Sequence, residues 1–255
     1  MAVPIEELTM NAWPAQQTVV HGGWLLRLAE GYTKRANSVH PFYAGDESEA
    51  ALKRKIEACE AFYCRAGQDT IFKLTPFAPA GLDLLLEARG YVLESPSRVM
   101  LLTDFARLGK PPRERSDVTI ECEDRLSYSW LDHMCAFSGI ASCHEGAAAR
   151  IMHAITMKTG FFTLYVGGEP AACGLGVLEG KHVGLYDIAT APAFRGQGLG
   201  ERLIRRMLQW AARSGATRSY LQVAQSNGPA NRLYARLSFE ELYPYWYRVK
   251  KRPNR

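Results

Sequence analysis

Residues 191–200, Ala-Pro-Ala-Phe-Arg-Gly-Gln-Gly-Leu-Gly, join a β-rich segment directly to an amphipathic helical pattern over 201–213, and no other stretch constrains this chain as much. Three glycines at such a junction let successive backbone N–H groups turn into one concavity at a helix N-terminus, where the helix dipole favours a bound anion. A pyrophosphate is the natural occupant. Spacing excludes two familiar phosphate loops. A nucleotide P-loop needs Lys-Ser or Lys-Thr after its last glycine, and neither follows. A dinucleotide loop counted from Gly196 and Gly198 meets Glu201 where its third glycine belongs.

Downstream, 221–227 reads as a strand ending in Ser226-Asn227, Ala230-Asn231-Arg232-Leu233-Tyr234 as part of a helix, and Ser238-Phe239 as the opening of the next strand. With Arg195-x-x-Gly198-x-Gly200, this pattern resembles the two signatures of the GNAT N-acetyltransferases: [RQ]-x-x-G-x-[GA], then S-N, A-x-x-L-Y and G-F. They stand in the right order, and the resemblance covers 117–249. It implies an α/β fold with a mixed sheet and acetyl-CoA as co-substrate. In that frame the main chain of Arg195, Gly196, Gln197, Gly198, Leu199 and Gly200 holds the pyrophosphate. Ile188, Ala189 and Thr190 pair with the pantetheine arm, and Asn227 and Ala230 complete the cofactor contacts.

The resemblance also assigns the acid. Tyr234 carries over as the proton donor to the departing thiolate, a role suited to a phenol that is protonated at neutral pH. The base is less well matched. Family members similar to ribosomal-protein acetyltransferases carry a glutamate where this chain has Gln222, and an amide cannot take a proton. Asp187 is the nearest acidic substitute, Glu145 beside His144 is a second, and a water relay is a third. Ser238, where the family has glycine, puts the geometry of one turn in doubt.

A hydrophobic share of 47% is enough for packed cores, so the chain reads as globular. It has no run of about 18 apolar residues, and its start lacks the basic and apolar regions of a secretory signal. A cytoplasmic protein without membrane contact is expected. The cysteines at 59, 64, 122, 135, 143 and 173 form no C-x-x-C pair and no zinc spacing, so mostly buried thiols and no metal are expected. Cys143-His144 as a nucleophilic pair is weighed and set aside, because neighbours in sequence rarely face each other.

The net charge of +5 comes from residues 117–255. Arg202, Arg205, Arg206 and Arg213 would suit a phosphate-rich ligand, or simply form a solvated helix face. The basic tail, 250–255, could touch nucleic acid, but a frayed end is the plainer reading, so nucleic acid is not the expected partner.

Residues 107–117, polar and with two adjacent prolines, read as a linker. The expected organisation is a domain over 1–108, a linker over 109–116 and a catalytic domain over 117–255. In the last, helices are expected at 123–137, 145–157, 198–213 and 228–237. Strands are expected at 161–167, 171–179, 182–190, 218–224 and 239–249. At a constant offset the halves echo each other: Ile56 falls on Ile204, Gly67 on Gly215, Leu85 on Leu233 and Tyr91 on Phe239. Helix 47–66, strand 70–75 and helix 80–89 then overlie their C-terminal counterparts, which predicts tandem GNAT-like domains. The first copy is degenerate: Glu47-Ser48-Glu49-Ala50-Ala51-Leu52 replaces the glycine loop, and Leu86 replaces Tyr234.

The acceptor is expected to be a small-molecule or peptide amine, attacking the thioester directly. Its selection is assigned to loop 138–146 and to Tyr243, Tyr245, Trp246 and Tyr247. Trp24, Tyr32, Lys34, Arg35 and Asn37, read as a strand region, could form a wall of that site. A monomer or a homodimer fits equally well. The competing reading is a non-catalytic acyl-CoA-binding or sensing protein.

Overall fold

The computed structural model describes residues 3–43, 45 and 47–252. Met1, Ala2 and the end of the basic tail, Pro253, Asn254 and Arg255, lie outside the described residues, and so does the nucleic-acid reading placed on that tail. The chain forms two compact units, neither continuous in sequence. One takes the chain up to Ala12, Val99–Val223 and Asn227–Leu242; the other takes Trp13–Arg98, Ala224–Ser226 and the chain from Tyr243 onward. These units cross the boundaries expected at 1–108 and 117–255, because the first helix belongs with the C-terminal half and the last strand mostly with the N-terminal one.

The unit built mainly from the C-terminal half contains α1 (Val3–Ala12), β6 (Val118–Glu123), α4 (Tyr128–Ser138), α5 (Glu145–His153), β7 (Lys158–Val166), β8 (Glu169–Glu179) and β9 (His182–Thr190). It continues with α6 (Leu199–Arg213), β10 (Arg218–Ala224) and α7 (Gly228–Arg236). Part of β5 (Val92–Leu102) edges a mixed sheet of order β5-β10-β9-β8-β7-β6, in which β10 runs parallel to β9 and the pairs from β9 to β6 are antiparallel. Helices cover both faces. Successive phenylalanines on β7 show this: Phe161 meets Trp130 of α4 edge-on at 5.0 Å, while Phe162 meets Trp210 of α6 at 5.6 Å. Leu203, Ile204, Met207 and Leu208 of α6 are buried with Leu164, Ala172, Leu185 and Leu221 of the strands.

The other unit contains β1 (Gln17–His21), β2 (Trp24–Leu28), β3 (Val39–Pro41), α2 (Glu49–Arg65), β4 (Thr70–Leu74) and α3 (Leu82–Ala88). Its strands run β1-β2-β3-β4-β11, where β11 (Glu240–Lys250) pairs antiparallel with β4 from Trp246↔Leu74 to Lys250↔Thr70. Its core gathers Trp24, Leu52, Ile56, Tyr63, Phe72 and Leu82.

The expected echo between the halves extends to individual hydrogen bonds. The N–H of Gln68 donates to the Tyr63 carbonyl, and that of Ala216 to Ala211, both at 3.0 Å. Between them Gly67 and Gly215 sit at φ 70° and 91°, the left-handed cap that favours glycine. One helix further on, Tyr91 N–H donates to the Leu86 carbonyl and Phe239 N–H to Tyr234. Ser238 holds φ 62° where its counterpart Gly90 holds 82°, so the serine adopts the conformation a glycine would, while its hydroxyl donates to the Arg107 carbonyl at 2.9 Å.

Several expectations are corrected. The helix expected at 123–137 begins only at Tyr128, where Ser127 accepts a hydrogen bond from Trp130 N–H, and 118–123 is instead a strand paired with β7. Lys34–Ala36 is a 3-10 turn rather than a strand; Asn37 builds it by accepting from Ala29 and Gly31 N–H and donating to the Tyr32 and Thr33 carbonyls. Trp24 is fully buried against Phe72 and so forms core, not a binding wall. Cys59, Cys135 and Cys173 are buried, but Cys64, Cys122 and Cys143 are exposed. No described helix is long and apolar enough to cross a membrane.

Because the two glycine caps are equivalent, Gly67→Ala and Gly215→Ala should each cost about 1–2 kcal/mol, the strain of a β-carbon in the left-handed region. Urea unfolding of the two variants measures this; a loss at only one position would show that the caps differ.

Candidate active site

Beyond β9 the chain makes a single 3-10 turn, Pro192–Phe194, and then reverses through Gly196 and Gly198 at φ 78° and 74°. Side chains at those φ values are strained, which is why glycine stands there. Gly198 is the residue before α6, and no side chain caps that helix end. The first intrahelical bond runs from Arg202 N–H to the Gly198 carbonyl, so the N–H groups of Leu199, Gly200 and Glu201 occupy the first turn, which the helix itself cannot satisfy. The equivalent end of α2 is closed: Ser48 accepts from Ala51 N–H, and Glu49 is paired with Lys53.

A second opening adjoins the first. The parallel pairing of β9 and β10 runs from His182↔Arg218 to Leu185↔Leu221 and stops. Past that point the strands part, and β9 bulges against β8 around Asp187, which takes φ 47°. The result is a cleft of about 750 Å³. Ile188, Ala189 and Thr190 from β9 line it, with Arg195, Gly196, Gly198, Leu199 and Gly200 from the loop and Asn227, Ala230 and Tyr234 from α7. Phe137 and Ser138, from the end of α4 on the opposite face of the sheet, also reach it, so the cleft passes between the parted strands.

Each expected site residue can now be placed. Arg195 lines the cleft and steadies it, its Nε donating to the Thr190 carbonyl at 3.2 Å. Gln197 does not line it; its Oε1 faces away and accepts from Arg115 at 3.4 Å. Asn227 caps α7, accepting from Ala230 N–H at 3.2 Å. A β-carbon at Gly200 would lie 3.2 Å from Leu233 Cδ2, so a larger residue there would require that leucine to give way. Glu201 would oppose a bound anion, but Arg205 holds its carboxylate at 2.9 Å.

Tyr234 is buried at the inner end of the cleft, with its ring 5.9 Å from that of Phe239. Burial pushes its phenol up to about 12, so it holds its proton throughout the neutral range. Asp187 lies toward α4. Burial raises the Cys135 thiol, and the carboxylates of Glu145, Asp132 and Asp187 add to that shift, which places three acids from three elements around one sulfur. Glu145 lies apart from the main cleft, lining a pocket of about 310 Å³ with Asp132, Cys135 and Ile140.

Other expected contributors are committed elsewhere. Arg205 also donates to the Gly109 carbonyl and Arg202 to that of Arg113, so two of the arginines read as phosphate ligands instead fasten the 109–113 segment to α6. Tyr243, Tyr245 and Tyr247 are buried in β11, against Phe77, Lys73 and Lys34 respectively, and Trp246 donates to Asp83. Packing accounts for this aromatic run, which had been assigned to acceptor selection. Gln222 is the residue whose state the sequence did not reveal: both atoms of its side-chain amide are buried without a hydrogen-bond partner among the described residues.

Comparisons with known proteins identify the family and the fold. The family model described as "Probable histone acetyltransferase Rv0428c C-terminal" matches residues 4–248. An uncharacterized N-acetyltransferase, YobR of Bacillus subtilis, is 31% identical over 249 residues, covering 97% of this chain and 98% of its own. A GCN5-related N-acetyltransferase from Kribbella flavida superposes with a TM-score of 0.75 at 18% identity, covering all of this chain and 96% of that one. A tandem GNAT protein from the clavulanic acid biosynthesis pathway gives 0.68 at 13% identity, covering 98% and 89%. The family model and the Bacillus subtilis relative show an acetyltransferase of the GNAT type. This chain belongs to the GNAT family, in the branch which that family model describes.

The raised phenol of Tyr234 has a consequence for stability. The folded protein keeps this proton to higher pH than the unfolded chain, so the associated stability is complete below pH ~10 and is lost as pH rises toward 12. Unfolding free energies measured across that window should fall less steeply in Tyr234→Phe than in the wild type; parallel curves would show that this phenol is not held in its buried, neutral form.

Proposed function

We propose that this protein transfers the acetyl group of acetyl-CoA to a primary amine by direct attack. The observation that carries this reading is the open first turn of α6 beside the unpaired edge of β9, which together present main-chain donors along one continuous cleft. The loop N–H groups would hold the diphosphate, aided by the helix dipole. The freed edge of β9 at 188–190 would pair with the amide-bearing pantetheine arm and offer N–H groups to the thioester carbonyl. These residues fit the co-substrate in charge, length and hydrogen-bonding pattern.

The chemistry then divides between the two faces of the sheet. The amine approaches from the α4 side and its nitrogen attacks the carbonyl carbon. As the carbon–sulfur bond breaks, Tyr234 gives its proton to the sulfur, while Asp187, directly or through water, accepts the proton lost by the amine. A phenol shifted up by burial is a weak acid in the ground state, yet it is matched to a thiolate that would otherwise be released into an apolar cleft. A non-catalytic acyl-CoA-binding protein remains the second reading, favoured by the amide at Gln222 where family members have a carboxylate.

Two measurements test the proposal. Calorimetry should show coenzyme A binding to the wild type and none to Gly198→Trp, which fills the loop; undiminished affinity in the variant would remove the cradle. In acetyl-CoA turnover with a panel of amines, Tyr234→Phe should lower kcat by about 10²–10³-fold with little change in cofactor affinity. Asp187→Asn should abolish the acidic limb of the pH–rate profile. Unchanged turnover in the first, or an unchanged profile in the second, would cancel that residue's role, and binding without turnover of any amine would favour the second reading.

A further inference from the structure

Gln222 stands at the point where β9 and β10 part. The last paired residues are Leu185 and Leu221, so Gln222 is the first residue of β10 beyond the pairing, and the same register would set it opposite Tyr186, next to Asp187. Strand alternation fixes the face it presents. Leu221 and Val223 belong to the core under α6, and Gln222 points the other way, as Tyr220 does. Tyr220 is occupied: it accepts a hydrogen bond from the Tyr186 hydroxyl at 3.1 Å, and both rings pack over Gly184, where a β-carbon would lie 2.6 Å from each. Gln222 has no such arrangement, and its Oε1 and Nε2 are both buried with no partner among the described residues.

A buried amide with neither its donor nor its acceptor used is a cost to the fold, and an apolar side chain of the same length would avoid it. The amide also has a specific shape. It offers one acceptor and one donor on a single planar edge, which complements a group with an N–H and a carbonyl in the same short span. A residue in extended backbone conformation presents such an edge, and an aminoacyl group, an amine on a carbon bonded directly to a carbonyl, presents it at the reacting nitrogen. An isolated alkylamine offers only half of it.

We propose that Gln222 selects the acceptor: its Oε1 accepts from the reacting nitrogen and its Nε2 donates to the adjacent carbonyl, so that the substrate class is the α-amine of an amino-acid amide or a peptide N-terminus. This rests on the acetyl-CoA reading given above. It makes Gln222 a specificity-determining residue on the acceptor face, with proton removal left to other groups. It also separates α-amines from the ε-amine of a lysine side chain, whose nitrogen has no neighbouring carbonyl.

Two bisubstrate adducts test it, each with the sulfur of coenzyme A joined through an acetyl bridge to an amine nitrogen, glycinamide in one and ethylamine in the other. Calorimetry on the full chain should show the glycinamide adduct binding about tenfold more tightly than the ethylamine adduct. In Gln222→Met, a side chain of similar length, the two adducts should bind equally, at the affinity the wild type shows for the ethylamine adduct. The unliganded variant should melt no lower than the wild type. Equal affinities in the wild type, a preference that survives in the variant, or a clear drop in Tm that reveals an anchoring role within the fold would each overturn the assignment. If neither adduct bound the wild type, the acetyl-CoA reading would fail, and this inference with it; if both bound equally, only this inference would fall.

Discussion

The parting of β9 from β10 after Leu185 and Leu221 is the constraint on which the rest of the catalytic unit depends. A sheet normally consumes its main-chain donors and acceptors in neighbouring strands, and leaving them exposed is costly unless something else pairs with them. Here the pairing ends in mid-sheet, the bulge at Asp187 turns the end of β9 outward, and the glycine loop leaves the first turn of α6 uncapped. Three breaks in regular hydrogen bonding fall within one short stretch of chain. Their shared product is a cleft bordered by main-chain groups that neighbouring strands and the helix leave unpaired.

The two halves of the chain make this argument by contrast. Each has a helix, a strand and a helix in the same order, with matching cap bonds at Gly67 and Gly215 and at Gly90 and Ser238. What differs is the start of the first helix of the set. In α2, Ser48 caps the Ala51 N–H, and Glu49, paired with Lys53, places a carboxylate at the first position of the helix. In α6 the residue before the helix is Gly198, and the one acid of the first turn, Glu201, is paired with Arg205. The same backbone plan is thus closed in one copy and open in the other by the choice of a few side chains.

The readable parts of the sequence were those whose physics is local. Glycine spacing, the proline after β9 and the amphipathic pattern of α6 lie within a short window and mark the loop; the resemblance to the GNAT signatures supplies the residues around it, and the constant offset between the halves the tandem plan. Readings failed where the deciding partner was distant in sequence. Arg202 and Arg205 suit either a phosphate ligand or a solvated helix face, yet they donate to the carbonyls of Arg113 and Gly109, far away in sequence. The aromatic run of β11 looked like a pocket because its pairing with β4 cannot be read from either strand alone. The strand at 118–123 has no counterpart among the expected elements, and the helix after it is expected five residues early, because a short, mostly exposed edge strand carries little apolar alternation.

The state of Gln222 belongs to a third category. Its identity was visible at once as a departure from the glutamate of some family members, and that departure suggested a weakened or lost enzyme. The structure changes what the substitution means. A glutamate at this position would carry a charge into a buried site, where an ionised carboxylate without a partner is costly. An amide brings the same reach and the same acceptor oxygen without that charge, and adds a donor. On the proposed reading, an amide here gives up a base and offers a hydrogen-bonding edge in one change, which would leave proton removal and substrate choice to different residues.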